Sequence, residues 1–265
     1  MAKTSPDWRE RARTESRFYN AQAAREADRD LRVRENPNHP TQGIGLSLLR
    51  DNCQIGPLEG AAVLDCGCGT GITSVILARE GARVFAFDVS PRRLALALRR
   101  SAVNGVAEQV SFQAGAFEQL CYQSDSFRLV FGMHVLHHVD VRKAADEAYR
   151  VLRPGGKAIF WEPLDRNPIL RHFRRYAGKF GIAKWSSPRE HPLRDQDLEA
   201  LRAAFGGRLR VHNTGFLFFS LIDRNVLQFR SRMLSRLLRG LDFGVAKYLP
   251  GLRKYSYVAL LELTK

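Results

Sequence analysis

The stretch Val63-Leu64-Asp65-Cys66-Gly67-Cys68-Gly69-Thr70-Gly71-Ile72 constrains this chain more than any other. A short apolar run of strand character stands on its left, and a helical pattern, TSVILARE, on its right. Gly67, Gly69 and Gly71 let the backbone turn sharply between the two and approach a ligand with no Cβ in the way. A strand, a GxGxG corner and a helix make a nucleoside or dinucleotide site. The next apolar run, RVFAFD, ends in Asp88, where a carboxylate can accept both hydroxyls of a ribose lying across the two strand ends. Without a ligand, the same residues give a tight strand-to-helix turn and an N-cap for the helix that PRRLALAL begins.

From Ala61 onward, short strand-like runs alternate with helical ones: AAVLD with TSVILARE, ARVFAFD with PRRLALALRRSAVN, EQVSFQA, FRLVFGM with RKAADEAYRVL, and KAIFWEP. That alternation predicts an α/β fold with a parallel sheet covered by helices on both faces. Residues 1 to about 35 are charged and predict a helix or helix pair, broken off by ENPNHPTQG. After Glu162 the rhythm changes to a basic, aromatic segment (RNPILRHFRRYAGKF), the turn-rich KWSSPREHP, a helix over DQDLEALRAAF, a strand RLRVHN and a long apolar, basic insertion. The final YSYVALLELT alternates as a strand does. The expected organisation is a helical lid segment over 1–42 and the main domain over 43–265, with lid insertions near 164–194 and 215–250.

Asp65 stands just before the glycines, where a negative charge suits a cationic ligand better than a pyrophosphate. RVLRPGG directly precedes KAIFWEP, and VLHHV follows the fourth strand. Four blocks, VLDCGCGTG (63–71), VFAFDVS (84–90), SFRLVFGMHVLHHV (126–139) and EAYRVLRPGGKAIFWEP (147–163), resemble the class I S-adenosylmethionine-dependent methyltransferases, in particular their small-molecule branch. The resemblance covers about residues 60 to 163. It implies a Rossmann-like sheet of seven strands in the order 3-2-1-4-5-7-6 with the last strand antiparallel, and S-adenosyl-L-methionine as cofactor. Carried over by position, it makes Asp65, Gly67, Cys68 and Gly69 the corner at the methionine part, Asp88 the ribose acceptor and Val89 a packing face for adenine. Met133 and His134 should lie against the methionine chain through their backbone. Where the family carries an acid for the adenine amino group, QAGAFEQL has Ala116 and Phe117; these two supply a backbone contact and an apolar face, or Glu118 reaches in.

Methyl transfer is an in-line displacement that needs alignment and, for some acceptors, removal of a proton. The candidate bases are His134, His137 and His138, just past the fourth strand, with Glu162 at the end of the fifth as base or polar clamp. His138, His134 and Glu162 are the expected catalytic residues. Packing and hydrogen bonding at the helix start are the alternative roles of the histidines. His191 is expected to cap a turn, with the pocket as its alternative place, and Tyr19 and Phe18 are candidates to close over the cofactor from the N-terminal segment or to anchor an amphipathic helix to the domain. No metal is expected: Cys53, Cys66, Cys68 and Cys121 form no CxxC pair and no matched His spacing.

In FLFFSLIDRNVLQFRSRMLSRLLRGL, Val226, Leu227, Met233, Leu234, Leu237, Leu238 and Leu241 recur at helical spacing, with Arg224, Arg230, Arg232, Arg236 and Arg239 between them. Such a helix packs on the domain, covers an apolar pocket as a lid, or lies on an anionic bilayer. The expected acceptor is a lipophilic or aromatic small molecule. The expected location is cytoplasmic, with peripheral membrane contact left open along with the oligomeric state. A formal charge of +15, from 42 Lys+Arg against 27 Asp+Glu, admits nucleic acid as an alternative substrate. GMHVLHHV lacks the Asp/Asn-Pro-Pro-aromatic block of enzymes that methylate flipped bases, so nucleic acid ranks lower. A cofactor-binding protein without transfer activity is the remaining alternative.

Overall fold

The computed structural model describes residues 7–26, 30–33, 46–174, 190–213 and 215–265. ENPNHPTQG and most of KWSSPREHP lie outside the described residues. Seven strands, β1 (Ala62–Cys66), β2 (Arg83–Asp88), β3 (Val110–Ala114), β4 (Phe127–Met133), β5 (Leu152–Pro163), β6 (Leu209–His212) and β7 (Val258–Thr264), form one sheet. Its order is β3-β2-β1-β4-β5-β7-β6. β1 to β5 run parallel, and β7 is antiparallel to both β5 and β6. This is the Rossmann-like arrangement that the resemblance implies, with YSYVALLELT as the reversed strand.

The helices are α1 (Trp8–Glu26), α2 (Leu46–Cys53), α3 (Ile72–Arg79), α4 (Pro91–Val103), α5 (Val141–Val151), α6 (Pro168–Phe173), α7 (Asp195–Ala204), α8 (Phe219–Ile222) and α9 (Arg232–Tyr248). Local chemistry starts several of them. Ser90 accepts the Arg93 N–H with Pro91 in the first helical position, Asp140 accepts the Lys143 N–H, and Asn167 accepts those of Ile169 and Leu170. Small buried residues of α5 (Ala144, Ala145, Ala148) and Leu198 and Leu201 of α7 pack one face of the sheet. Leu49 of α2 and Val75, Leu77 and Ala78 of α3 pack the other. The apolar central strands are thereby covered on both sides, which is why they read as nearly continuous hydrophobic runs.

The strand order reverses between β1 and β4, and the crevice of such sheets lies outside the carboxyl ends of the strands at that point. Two accessory regions cover it here. The first is α1, packed against α4: Asn20 Oδ1 accepts the Ser90 hydroxyl at 2.8 Å, and Arg11 donates to the Val139 carbonyl at 2.6 Å. The second is the insertion before β7, in which α8 runs into a π turn (Asp223–Leu227) and α9 follows. Buried Asp242 of α9 ties the two helices together by accepting the N–H groups of Phe218, Phe219 and Ser220 at 2.9–3.0 Å. On α9, Leu234 and Leu238 turn partly inward, whereas Met233 and Leu237 are 82% and 60% exposed, so the helix has a second apolar face that the fold does not use. Among the described residues, no helix is long and apolar enough to cross a membrane.

Candidate active site

The corner after β1 takes its shape from glycine. Gly67 has φ 64°, and a Cβ there would lie 2.7 Å from Val135 Cγ2. Gly71 has φ 80°, and a Cβ would meet Ala97 Cβ at 2.8 Å, so α3 and α4 approach each other only across a bare backbone. Asp88, at the tip of β2, fixes the corner: one carboxylate oxygen accepts the Gly69 N–H at 2.9 Å and the other the Ser90 N–H at 2.8 Å. Burial raises the Asp88 pKa, against those bonds and the charge of Arg93. Asp65 is buried behind the corner, with one oxygen on the Ser74 hydroxyl at 2.6 Å. Its burial pushes the pKa up to about 7, with Ser74 opposing.

A cavity of ≈ 820 Å³ opens in front of these residues and extends under both accessory regions. Its first half, on the side of β1 and β2 in the strand order, is bordered by Gly67, Asp88, Val89 and Phe117 and by Tyr19 and Gln22 of α1. Its second half is mostly apolar, with Leu170, Phe173, Phe218, Leu221, Ile222 and Val226 in the wall. Met133, His134, Val135, His137 and His138 lie along the segment where the two halves meet.

That junction rests on a buried ion pair. Glu162, fully buried on β5, accepts the N–H groups of Val135 and Leu136 at 2.7 and 2.8 Å, and its other oxygen lies 2.6 Å from His137 Nδ1. His137 Nε2 lies 3.3 Å from Glu190, which enters from the first lid insertion. Burial alone would lower the His137 pKa, but Glu162 and Glu190 outweigh it and raise the value to about 9, so the ring is cationic at neutral pH. The same pair holds the Glu162 carboxyl below its usual range despite full burial. His134 has the opposite fate. It sits at φ 56°, its N–H on the Trp161 carbonyl at 2.9 Å, and burial lowers its pKa to about 4. His138 turns Nε2 to the Tyr19 hydroxyl at 2.9 Å and Nδ1 toward Glu15 at 3.2 Å, both on α1.

A family model described as a methyltransferase domain matches residues 64–160, the span that carries the corner, Asp88 and the histidine junction. The chain is 32% identical over 173 residues to the ubiquinone biosynthesis O-methyltransferase of Agrobacterium fabrum, covering 63% of this chain and 67% of that protein. It is 33% identical over 202 residues to the enzyme of the same description from Sinorhizobium fredii, covering 71% and 79%. The chain belongs to the class I S-adenosylmethionine-dependent methyltransferases. Its cofactor is S-adenosylmethionine, and small-molecule methyl transfer is the activity that this membership gives it. In fold it is similar to a geranyl diphosphate methyltransferase solved with GPP and sinefungin, at a TM-score of 0.61 and 15% identity, covering 96% of this chain and 99% of that one.

Of the residues expected at this methyltransferase's cofactor site, Gly67, Asp88, Val89, Phe117 and Met133 border the cavity. Asp65, Cys68, Gly69 and Ala116 do not: Asp65 is held on Ser74, Cys68 packs into the core, the Gly69 N–H is taken by Asp88, and Ala116 is bridged to Gln119. Glu118 does reach the cavity while accepting the Asp140 N–H at 2.9 Å. Glu162, expected as base or polar clamp, does not border the cavity: its oxygens accept the Val135 and Leu136 N–H groups and face His137. His134 and His138 border the cavity, whereas His191 turns Nδ1 to the Pro192 carbonyl at 3.3 Å and does not. Sequence reasoning missed Glu190, Arg93, Tyr257 and the placement of Arg224 in the wall. Their signal is purely tertiary.

Proposed function

We propose that this methyltransferase adds a methyl group to an oxygen of a lipophilic or aromatic small molecule. The observation that carries this is the second half of the cavity, where six apolar side chains form the wall beyond His134. An acceptor gains about 25 cal/mol for each Å² of apolar surface buried there, whereas a polynucleotide would press its phosphates against Leu and Phe. The choice of oxygen rests on the relatives, which are named O-methyltransferases.

When bound, S-adenosylmethionine supplies a methyl on a cationic sulfur, open to attack by an acceptor lone pair. The residues proposed to hold it are Asp88 for the ribose hydroxyls, Val89 and Phe117 as apolar faces for adenine, and Gly67 and Met133 beside the methionine part. They fit that group: a carboxylate, a backbone with no Cβ and three apolar side chains border one half of one cavity. Asp65 lies behind the corner, where a bound cation would favour its ionised form against the burial that raises its pKa. His134, uncharged at neutral pH, adds no repulsion to that cation. With both ring nitrogens turned to α1, His138 has the proposed task of holding α1 shut and excluding water, in place of moving the acceptor proton.

The outward face of α9 supports a peripheral contact with an anionic bilayer. Exposed Met233, Leu237 and Leu241 stand among exposed Arg230, Arg232, Arg236 and Arg239, an arrangement in which apolar side chains enter the headgroup boundary and arginines stay at it. A lipophilic acceptor would then enter through the lobe that touches its source.

The test is incubation of the enzyme with labelled S-adenosylmethionine and cell extract, followed by mass analysis. The expected result is a gain of one CH₂ in the organic phase. Label confined to nucleic acid would overturn the proposal.

A further inference from the structure

Three arginines border the cavity, and they are not equivalent. Arg93, in the first half, pairs with Glu26 at 3.8 Å and donates to Gln22 at 3.0 Å. Arg174 pairs with Asp165 at 2.6 Å. Arg224, on the π turn after α8, has no carboxylate within ion-pair distance among the described residues. Its Nε donates to Asn225 Oδ1 at 3.2 Å, and its charge acts on Tyr257, opposing the rise that burial gives the phenol pKa. It is half-buried in a wall that also carries Phe218, Leu221, Ile222, Asn225 and Tyr257, with Glu190 and Arg174 in the same lining. A guanidinium there has lost water and gained only neutral partners, which leaves it a strong site for an anion.

Its place matters as much as its charge. Arg224 borders the cavity from the turn that follows α8, and its charge acts on His134 and Tyr257, which border the same cavity. The neighbouring groups leave few bases there. Glu162 is fully engaged, His137 is cationic, His138 faces α1, Glu190 is set against the His137 ring, and His134, its pKa lowered to about 4 by burial, is too weak a base to keep a phenol proton. An acceptor hydroxyl at this point meets a cation more readily than a proton acceptor.

We propose that Arg224 selects acceptors whose reacting oxygen is already ionised, a phenolate or carboxylate on an apolar body, with Asn225 orienting the guanidinium. The proton is left in bulk water before the oxygen enters, and the guanidinium holds the resulting charge through charge-assisted hydrogen bonds. This rests on the proposed lipophilic acceptor and narrows it to an acidic one.

Two probes test it by equilibrium binding to the full-length enzyme saturated with S-adenosylhomocysteine: a 4-nitrophenol with an octyl chain, and the methyl ether of the same compound, which cannot ionise. Near the solution midpoint of the phenol, wild type should bind it fully in the yellow phenolate form and roughly 10- to 100-fold more tightly than the ether. Arg224→Gln should lose that preference with ether binding unchanged, and Arg224→Lys should restore part of it. Equal binding of phenol and ether by wild type overturns the Arg224 proposal and leaves the apolar acceptor standing, as does a preference that survives in Arg224→Gln. Failure of wild type to bind either probe overturns the apolar acceptor and the Arg224 proposal with it.

Discussion

The two halves of the cavity are built by different means. The half at the glycine corner is made of strand ends and backbone, with carboxylates fixed on it: Asp88 on the Gly69 and Ser90 N–H groups, Glu162 on those of Val135 and Leu136, and Asp65 on the Ser74 hydroxyl. The other half is made of side chains on insertions, joined to the sheet by a few polar ties such as Asp242 at the start of α8 and Asn167 on the Tyr255 carbonyl. A rigid half suits a ligand that never changes, and a side-chain wall suits one that differs between relatives. On the proposed function, the corner holds the cofactor and the insertions meet the acceptor.

The largest effect should come from breaking the tie between the halves. Glu162→Gln leaves His137 buried without its main counter-charge and should cost about 3 to 5 kcal/mol in denaturant unfolding. The same pair gives wild type a pH signature. Because the His137 pKa rises from 6.5 to about 9 on folding, its stabilisation is complete below pH 6.5 and is lost as pH rises toward 9, by about 3 kcal/mol in all. Glu162→Gln should flatten that decline, and a wild-type stability that does not fall over this range would remove the ion pair from the junction. Further out on the insertion, Leu237→Glu should weaken binding to anionic vesicles by roughly tenfold while unfolding shifts by no more than about 0.5 kcal/mol. Unchanged cosedimentation would confine α9 to packing. The smallest effect belongs to the lid over the rigid half. Tyr19→Phe removes one hydrogen bond to His138 and should weaken cofactor binding by about 1 kcal/mol in calorimetry, with little change in turnover at saturation.

The sequence spoke more clearly for one half than for the other, and the reason is physical. VLDCGCGTG and RVFAFD place the glycines and Asp88 within a few residues of the strands that position them, so spacing alone announces the corner. All seven strands and the reversal of YSYVALLELT could be anticipated for the same reason, joined to the family resemblance. α2 was not anticipated, because it follows a stretch without helical periodicity. Glu190 reaches His137 only through tertiary folding, so no local pattern predicts that the histidine is cationic and the glutamate at the end of β5 a clamp. Arg224 reads in sequence as one more cation of an amphipathic insertion. The π turn swings it into the cavity wall while Arg230, Arg232, Arg236 and Arg239 stay exposed.

The division into a cofactor half and an acceptor half is tested most directly by calorimetry of S-adenosylhomocysteine on two variants, one from each wall. Asp88→Ala should weaken binding by about 1 to 3 kcal/mol through lost hydrogen bonds. Ile222→Trp, which fills the apolar half, should leave it within about twofold of wild type. Weakening by Ile222→Trp with Asp88→Ala unchanged would contradict the division.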